Sequence, residues 1–245
     1  TTVSNCNHIY QIEVLNLLRN VGHQRAIAVG LVTLFRDGCS DDVIVMDADG
    51  EDTPQSIEEL LLAHAESQQS IIVARRGNRN ESRWFQIYYH LYKFLFYLLT
   101  SDKINFGNFC LISNIHLPSL VYNPNLWNHF AATIQHSKLP ITPIQINRGK
   151  RYTGQSKMNF QSLVLHGMSA ISVYIEQVTL RMLLFSTVLG GFSFVAIFVV
   201  ILIKSFTDLA IPGWATSAVG ILIIIILPIP SPIIRHNHEV EEFGC

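Results

Sequence analysis

Apolar positions change period along this chain, and the changes mark its elements. From His23 the positions Ile27, Gly30, Leu31 and Leu34 recur at helical spacing, which predicts a helix to about Arg36. Asn20 and Gly22 form its entry turn and Asp37-Gly38 ends it. Val43-Ile44-Val45-Met46 is apolar without alternation and rich in β-branched residues, the pattern of a strand buried on both faces. Thr53-Pro54 opens a second helix, with Glu58 and Glu59 near the positive end of its dipole. Ile71-Ile72-Val73-Ala74 predicts a second buried strand. Residues 106–112 read as a tight turn feeding a strand, 126–136 as a helix, and 141–146 as a half-buried strand.

Four further stretches exceed what a small soluble core needs. Residues 84–99 carry apolar side chains at three- and four-residue spacing, and Tyr92, Phe94, Phe96 and Tyr97 widen that face nearly all round. Such a helix suits a membrane interface or a buried core. Residues 160–178 repeat the amphipathic pattern, with Gln161, His166, Ser169 and Glu176 on the opposite face. His166 has no partner visible in the sequence and reads as interfacial. Residues 182–203 form an uncharged apolar run between Arg181 and Lys204, about 33 Å long as a helix, and 211–234 form a second. The pair predicts a membrane hairpin with Arg181 and Arg235 on one side. The positive-inside rule makes that side cytoplasmic.

Composition agrees with the pattern. Of 245 residues, 49% are hydrophobic and only 14% charged, and almost all charge lies before Arg181. That imbalance points to a membrane portion. The net charge of -1 carries no nucleic-acid signature, so no nucleic-acid partner is expected. Four cysteines without a C-x-x-C pair fit a reducing compartment rather than a zinc site or disulfide framework. The chain begins without Met or a signal peptide and is expected to lack its natural start.

The candidate chemistry gathers at strand ends. Val-Ile-Val-Met runs into Asp47, Asp49, Glu51 and Asp52, with Gly50 and Pro54 forcing a turn. Carboxylates beyond the carboxyl end of a strand sit where open α/β sheets bind ligands. Hard oxygens at this spacing suit Mg²⁺ or Mn²⁺ and, through it, a diphosphate; a solvated acidic turn is the plainer alternative. The second strand runs into Arg75, Arg76 and Arg79, which suit bidentate phosphate contacts or a solvated turn. Residues 148–157 hold four cations and two glycines and no acid, a cationic loop fitted to a diphosphate or lipid phosphate, or a generic basic surface loop.

The order of these parts resembles the family 2 glycosyltransferases that act on polyprenyl phosphates, the dolichyl-phosphate mannose synthases and bacterial undecaprenyl-phosphate sugar transferases. The resemblance rests on Arg19-Asn20-x-Gly22-His23-Gln24-Arg25-Ala26, Asp47-Ala48-Asp49-Gly50-Glu51-Asp52-x-Pro54, Gly107-Asn108-Phe109 and Arg151-x-x-Gly154-x-Ser156-Lys157. It continues through the amphipathic helix and the hairpin. It implies a partial glycosyltransferase A (Rossmann-like) α/β domain over residues 1–158, an interfacial helix over 159–181, a transmembrane hairpin over 182–234 and a cytoplasmic tail over 235–245. Asp47, Asp49 and Glu51 would hold the metal; the third position is usually Gln in the family. Arg75 or Arg76, Arg151 and Lys157 would hold the phosphates of donor and acceptor. Asp49 and Asn108 would be the catalytic pair.

The implied reaction is inverting transfer from a nucleotide sugar to undecaprenyl or dolichyl phosphate at the membrane, in cell-envelope glycan or glycolipid synthesis. The implied location is a bacterial inner membrane, with the catalytic region cytoplasmic. A homo-oligomer is compatible with the sequence. Three departures stand out. The family normally begins with about two further strands that bind the nucleotide. Many members carry Asp where this chain has Asn108, and Asn cannot act as a base. The end after Leu227 does not match the family's usual tail. Two other readings follow: an inactive fragment or non-enzymatic membrane partner, and a processive polysaccharide synthase. The synthase reading is disfavoured, because Asn80-Glu81-Ser82-Arg83-Trp84 is not the Gln-x-x-Arg-Trp segment such enzymes carry.

Overall fold

The computed structural model describes residues 11–76, 83–147, 149 and 160–206, with Gly213, Ser217 and Gly220. They fall into two compact units, one within Thr1–Lys93 and Asp102–Val173, the other within Phe94–Ser101 and Tyr174–Cys245.

The first unit is mixed α/β. Helix α1 (His23–Arg36), strand β1 (Val43–Val45), α2 (Pro54–Glu66) and β2 (Ile71–Arg76) follow one another in the predicted order. Next come α3 (Arg83–Thr100), which belongs to the first unit only as far as Lys93, β3 (Cys110–Ile112), α4 (Leu117–Val121), α5 (Phe130–His136), β4 (Ile141–Ile146) and α6 (Phe160–Ser172). The sheet order is β1-β3-β2-β4. β3 runs antiparallel to β1 and β2, and β2 runs parallel to β4. β2 and β3 are central, and Ile71, Ile72, Val73, Cys110, Leu111 and Ile112 are fully buried. Their alternate side chains feed two cores. Ile71, Val73, Cys110 and Ile112 meet α1, α4 and α5, while Ile72 and Leu111 meet Leu60 of α2.

β1 departs from the expectation of a strand buried on both faces. Val43 is buried, but Ile44 and Val45 are half-buried and Met46 is 42% exposed. β1 sits at an edge of the described sheet, with β3 on one side only. β4 holds the other edge, and there Pro143 is tolerated because an edge strand need not donate on both sides. Residues 126–136 were expected as one helix and form two pieces. A 3₁₀ turn, Pro124–Trp127, is capped by the Asn123 side chain, and α5 starts afresh at His129, whose ring caps Ala132. The 3₁₀ turn Asn114–His116 and α4 fill a stretch with no predicted element.

The second unit is dominated by α7 (Ile175–Phe206), 32 residues with a mean hydropathy of 2.5 over its most apolar window. At 1.5 Å per residue it is about 48 Å long. It absorbs both charged flanks of the predicted 182–203 run. The amphipathic pattern read through residue 178 breaks earlier, at Val173 and Tyr174. Tyr174 is 1% exposed and sets its ring edge-on to Phe96, centroids 5.6 Å apart. Arg181 reaches back to the end of α3, donating to Leu98 O at 2.7 Å and Ser101 Oγ at 2.6 Å. A cation at orphan carbonyls stabilises a helix C-terminus. The second apolar run, 211–234, and the tail, 235–245, lie outside the described residues save for Gly213, Ser217 and Gly220.

Candidate functional site

The acid turn is built by its own side chains. Gly50 takes φ 86°, a left-handed conformation that glycine adopts without strain. Asp49 Oδ1 accepts from Glu51 N–H at 3.0 Å. Asp52 is 4% exposed, and its Oδ2 accepts from Asp47 N–H at 3.0 Å. The buried Asp52 thus braces the turn, while Asp47, Asp49 and Glu51 stay half-buried at the end of β1. Thr53 then caps α2, its Oγ1 accepting from Ser56 N–H.

The end of β4 meets this turn. Gly149 N–H donates to Glu51 O at 2.9 Å. A Cβ on Gly149 would lie 2.6 Å from Thr53 Cγ2 and 2.9 Å from Gly50 O, so only glycine fits without a backbone shift. The first glycine of the cationic stretch therefore anchors on the acidic one. Arg148, Lys150, Arg151 and Lys157 lie outside the described residues.

Asn108 comes to the same sheet edge through strand register. Val43, Ile44 and Val45 oppose Ile112, Leu111 and Cys110. The paired register ends at Val45 and Cys110, and Asp47 and Asn108 each lie two residues beyond it at the same end of the two strands. The Asn108 side chain is held by Gln24, whose Nε2 donates to Asn108 Oδ1 at 3.2 Å. Gln24 is 8% exposed, and its Oε1 accepts from Phe130 N–H at 2.6 Å. One amide thereby ties α1, the Gly-Asn-Phe turn and the start of α5. Sequence reasoning missed Gln24, because its motif was read for a helix start rather than for what an inward-facing amide could hold.

A histidine cluster adjoins this link. His129 Nε2 lies 3.2 Å from His166 Nε2, and His23 approaches the His166 ring with centroids 5.5 Å apart. His166, read from sequence as partnerless and interfacial, instead joins α6 to α5. Burial, then the charges of His166 and His23, push the His129 pKa down to about 3. The ring is neutral at physiological pH. Its Nδ1 accepts from Ala132 N–H, so the proton sits on Nε2 and is donated to His166.

Arg75 lies on the exposed end of β2. It lines a cleft of about 350 Å³ with Lys103, Asn105, Gln135 and Lys138. Lys138 also pairs with Asp102 at 3.1 Å. Arg76 closes β2 in register with Ile146, and Arg79 lies outside the described residues. Cys110 is an apolar core residue, its thiol pKa pushed up by burial.

Among the described residues no three His, Cys, Asp or Glu side chains are gathered as a metal cage. The Asp47–Glu51 oxygens are nonetheless hard donors on one tight turn. Mg²⁺ needs one or two carboxylates when substrate phosphates complete its shell. The residues fit a cation that arrives with a diphosphate better than one held by protein alone.

No known family model matches the chain. It is 23% identical over 241 residues to the uncharacterized glycosyltransferase YkcC of Bacillus subtilis, covering 95% of this chain and 73% of that protein. It is 26% identical over 155 residues to the uncharacterized glycosyltransferase sll0501 of Synechocystis, covering 62% of this chain and 48% of that protein. These two matches support a glycosyltransferase family for this chain.

Proposed function

We propose that this chain transfers a sugar from a nucleotide-sugar donor to a polyprenyl phosphate at a membrane face. The observation that carries the reading is the bond from Gly149 to Glu51, which brings the start of the cationic stretch onto the acid turn. Acids at a strand end, with a cation-bearing segment tethered to them through Gly149, suit a diphosphate and its counter-ion. Asp47 and Asp49, with Glu51, would hold Mg²⁺ or Mn²⁺, which would neutralise the departing diphosphate.

The chain's own groups do the rest. An acceptor phosphate oxygen attacks the anomeric carbon from the face opposite the donor diphosphate. The carbon–oxygen bond to the diphosphate breaks, and the configuration inverts. A phosphate monoester is already a good nucleophile, so a strong base at Asn108 is not needed. Arg75, Arg76, Arg151 and Lys157 would hold phosphate oxygens of acceptor and donor.

A lipid acceptor is supported by α7 and by exposed apolar faces elsewhere. Phe192, Phe194 and Val195 of α7 are 71%, 72% and 59% exposed, and Leu165 and Met168 of α6 are also exposed. We read α7 as membrane-embedded, the first arm of the proposed hairpin, with α6 in the interface and the site cytoplasmic, in a bacterial inner membrane.

The test uses membranes carrying the chain, Mn²⁺ or Mg²⁺, undecaprenyl phosphate and a panel of radiolabelled nucleotide sugars. Metal-dependent label in the organic phase is expected, lost at least about a hundredfold in Asp49→Ala and reduced about tenfold in Lys157→Ala. The same assay is repeated on a chain extended at its N-terminus by the two nucleotide-binding strands that the family resemblance implies. No label in either form would refute the transferase reading.

A further inference from the structure

The hydrogen-bond chain through Gln24 decides which end of Asn108 faces outward. Phe130 N–H is a backbone donor and can only donate, so the Gln24 atom it meets at 2.6 Å is the carbonyl oxygen. The other end of Gln24 is then its NH₂ group, which only donates. The Asn108 atom it meets at 3.2 Å is therefore the acceptor, Oδ1. The Asn108 NH₂ group is left to point away from Gln24, and nothing among the described residues accepts from it. Asn108 is half-buried, two residues before β3, at the end of that strand that meets the carboxyl end of β1.

We propose that Asn108 is a hydrogen-bond donor to a substrate phosphate oxygen, and that Gln24 is the positioning residue that holds its NH₂ group toward that oxygen. This rests on the transferase reading for its substrate class. It gives the Asn at this position a role that Asp cannot fill. A carboxylate would also accept from Gln24, so it would fold equally well there, but it would turn a bare oxygen toward an anion. The oxygen could belong to the donor diphosphate or the acceptor phosphate, and the two are distinguishable by probe.

The experiment measures equilibrium binding of two probes to the detergent-solubilised chain: inorganic pyrophosphate with Mg²⁺, and farnesyl phosphate. Asn108→Leu, which removes the donor without adding charge, is expected to weaken one probe by about ten- to a hundredfold. The probe that weakens names the source of the oxygen. Asn108→Asp should weaken the same probe. Gln24→Glu still accepts from Phe130 N–H but cannot donate, so Asn108 must turn its NH₂ group inward. It should weaken that probe similarly, with an unchanged melting temperature. With ¹⁵N-labelled asparagine, the side-chain signal absent from Asn108→Leu should move on addition of that probe and on Gln24→Glu.

Wild-type affinity in Asn108→Leu or Asn108→Asp, or an unmoved Asn108 signal, overturns the donor role. Wild-type affinity in Gln24→Glu overturns the positioning role. A wild-type chain that binds neither probe overturns both. Binding that weakens as stated in a chain that transfers no sugar would uphold this inference while sinking the transferase reading.

Discussion

The two units use the same residue types in opposite ways. In the sheet unit Ile71, Ile72, Val73, Leu111 and Ile112 are fully buried, and the acids and amides of the site are half-buried or better. In α7 the apolar side chains point outward all round, and Ser193 is its one buried residue among those described. Burial of apolar area stabilises the first arrangement in water. The second leaves apolar area uncovered, an arrangement that apolar surroundings favour, and this is the physical basis for proposing α7 as a lipid-facing element. Chemistry follows the same division. Every candidate binding or catalytic residue that is described lies in the sheet unit, on a strand or on a turn next to one, and none lies in α7.

Matched substitutions test that contrast most severely. Leu111→Asp places a charge at a fully buried site and should cost more than about 4 kcal/mol, abolishing the cooperative melting of the sheet unit. Phe194→Asp should leave that transition within about 0.5 kcal/mol, because the site is exposed. It should instead weaken retention in carbonate-washed membranes, by about 3 kcal/mol of insertion free energy. Equal loss of melting in both variants would break the contrast.

The next effect is confined to the sheet unit. Buried His129 is held near pKa 3, below the 6.5 of an unfolded histidine. The stability contributed by its neutral form is complete above pH 6.5 and is lost as pH falls from there toward 3. The full difference is on the order of 4 kcal/mol. His129→Asn keeps an acceptor for Ala132 N–H and removes the titration, so the acid limb of the melting-temperature profile should flatten. An unchanged acid limb would show that the loss comes from other groups.

The smallest expected effect probes the joint between the acid turn and the cationic stretch. Gly149→Ala forces a Cβ against Thr53 and the Gly50 carbonyl and should cost about 1–3 kcal/mol. It should also lower kcat/KM for transfer about tenfold by displacing the cations that follow. Wild-type kcat/KM would mean that the contact is incidental to function.

Much of the first unit was legible without coordinates. The helix at 23–36 was readable to the residue, because its period, its entry turn and Asp37-Gly38 all agree. Thr53-Pro54 named the start of α2 for the same reason: an N-cap and a Pro at the first turn act locally. Two elements were misjudged because their limits are not local. The 126–136 helix splits where the His129 ring claims Ala132 N–H, and period alone cannot show a side chain competing for the backbone. Residues 160–178 break at Tyr174, which gives up helical continuity to bury its ring against Phe96.

The sequence by itself determined which segments are apolar, the uncharged run over 182–203 among them, and where carboxylates and cations stand in the chain. These are properties of composition and short-range order. Only the tertiary structure decided that β3 runs antiparallel between β1 and β2, which brings the start of β3, after Asn108, to the end of β1, before Asp47. The fold alone also seats Gln24 between Asn108 and Phe130, 84 and 106 residues away. It gives His166 its partner at His129, and it sets Arg181 at the carbonyl end of α3. Hydrogen bonds of this range depend on where the packed cores place distant backbone, and no local period encodes that.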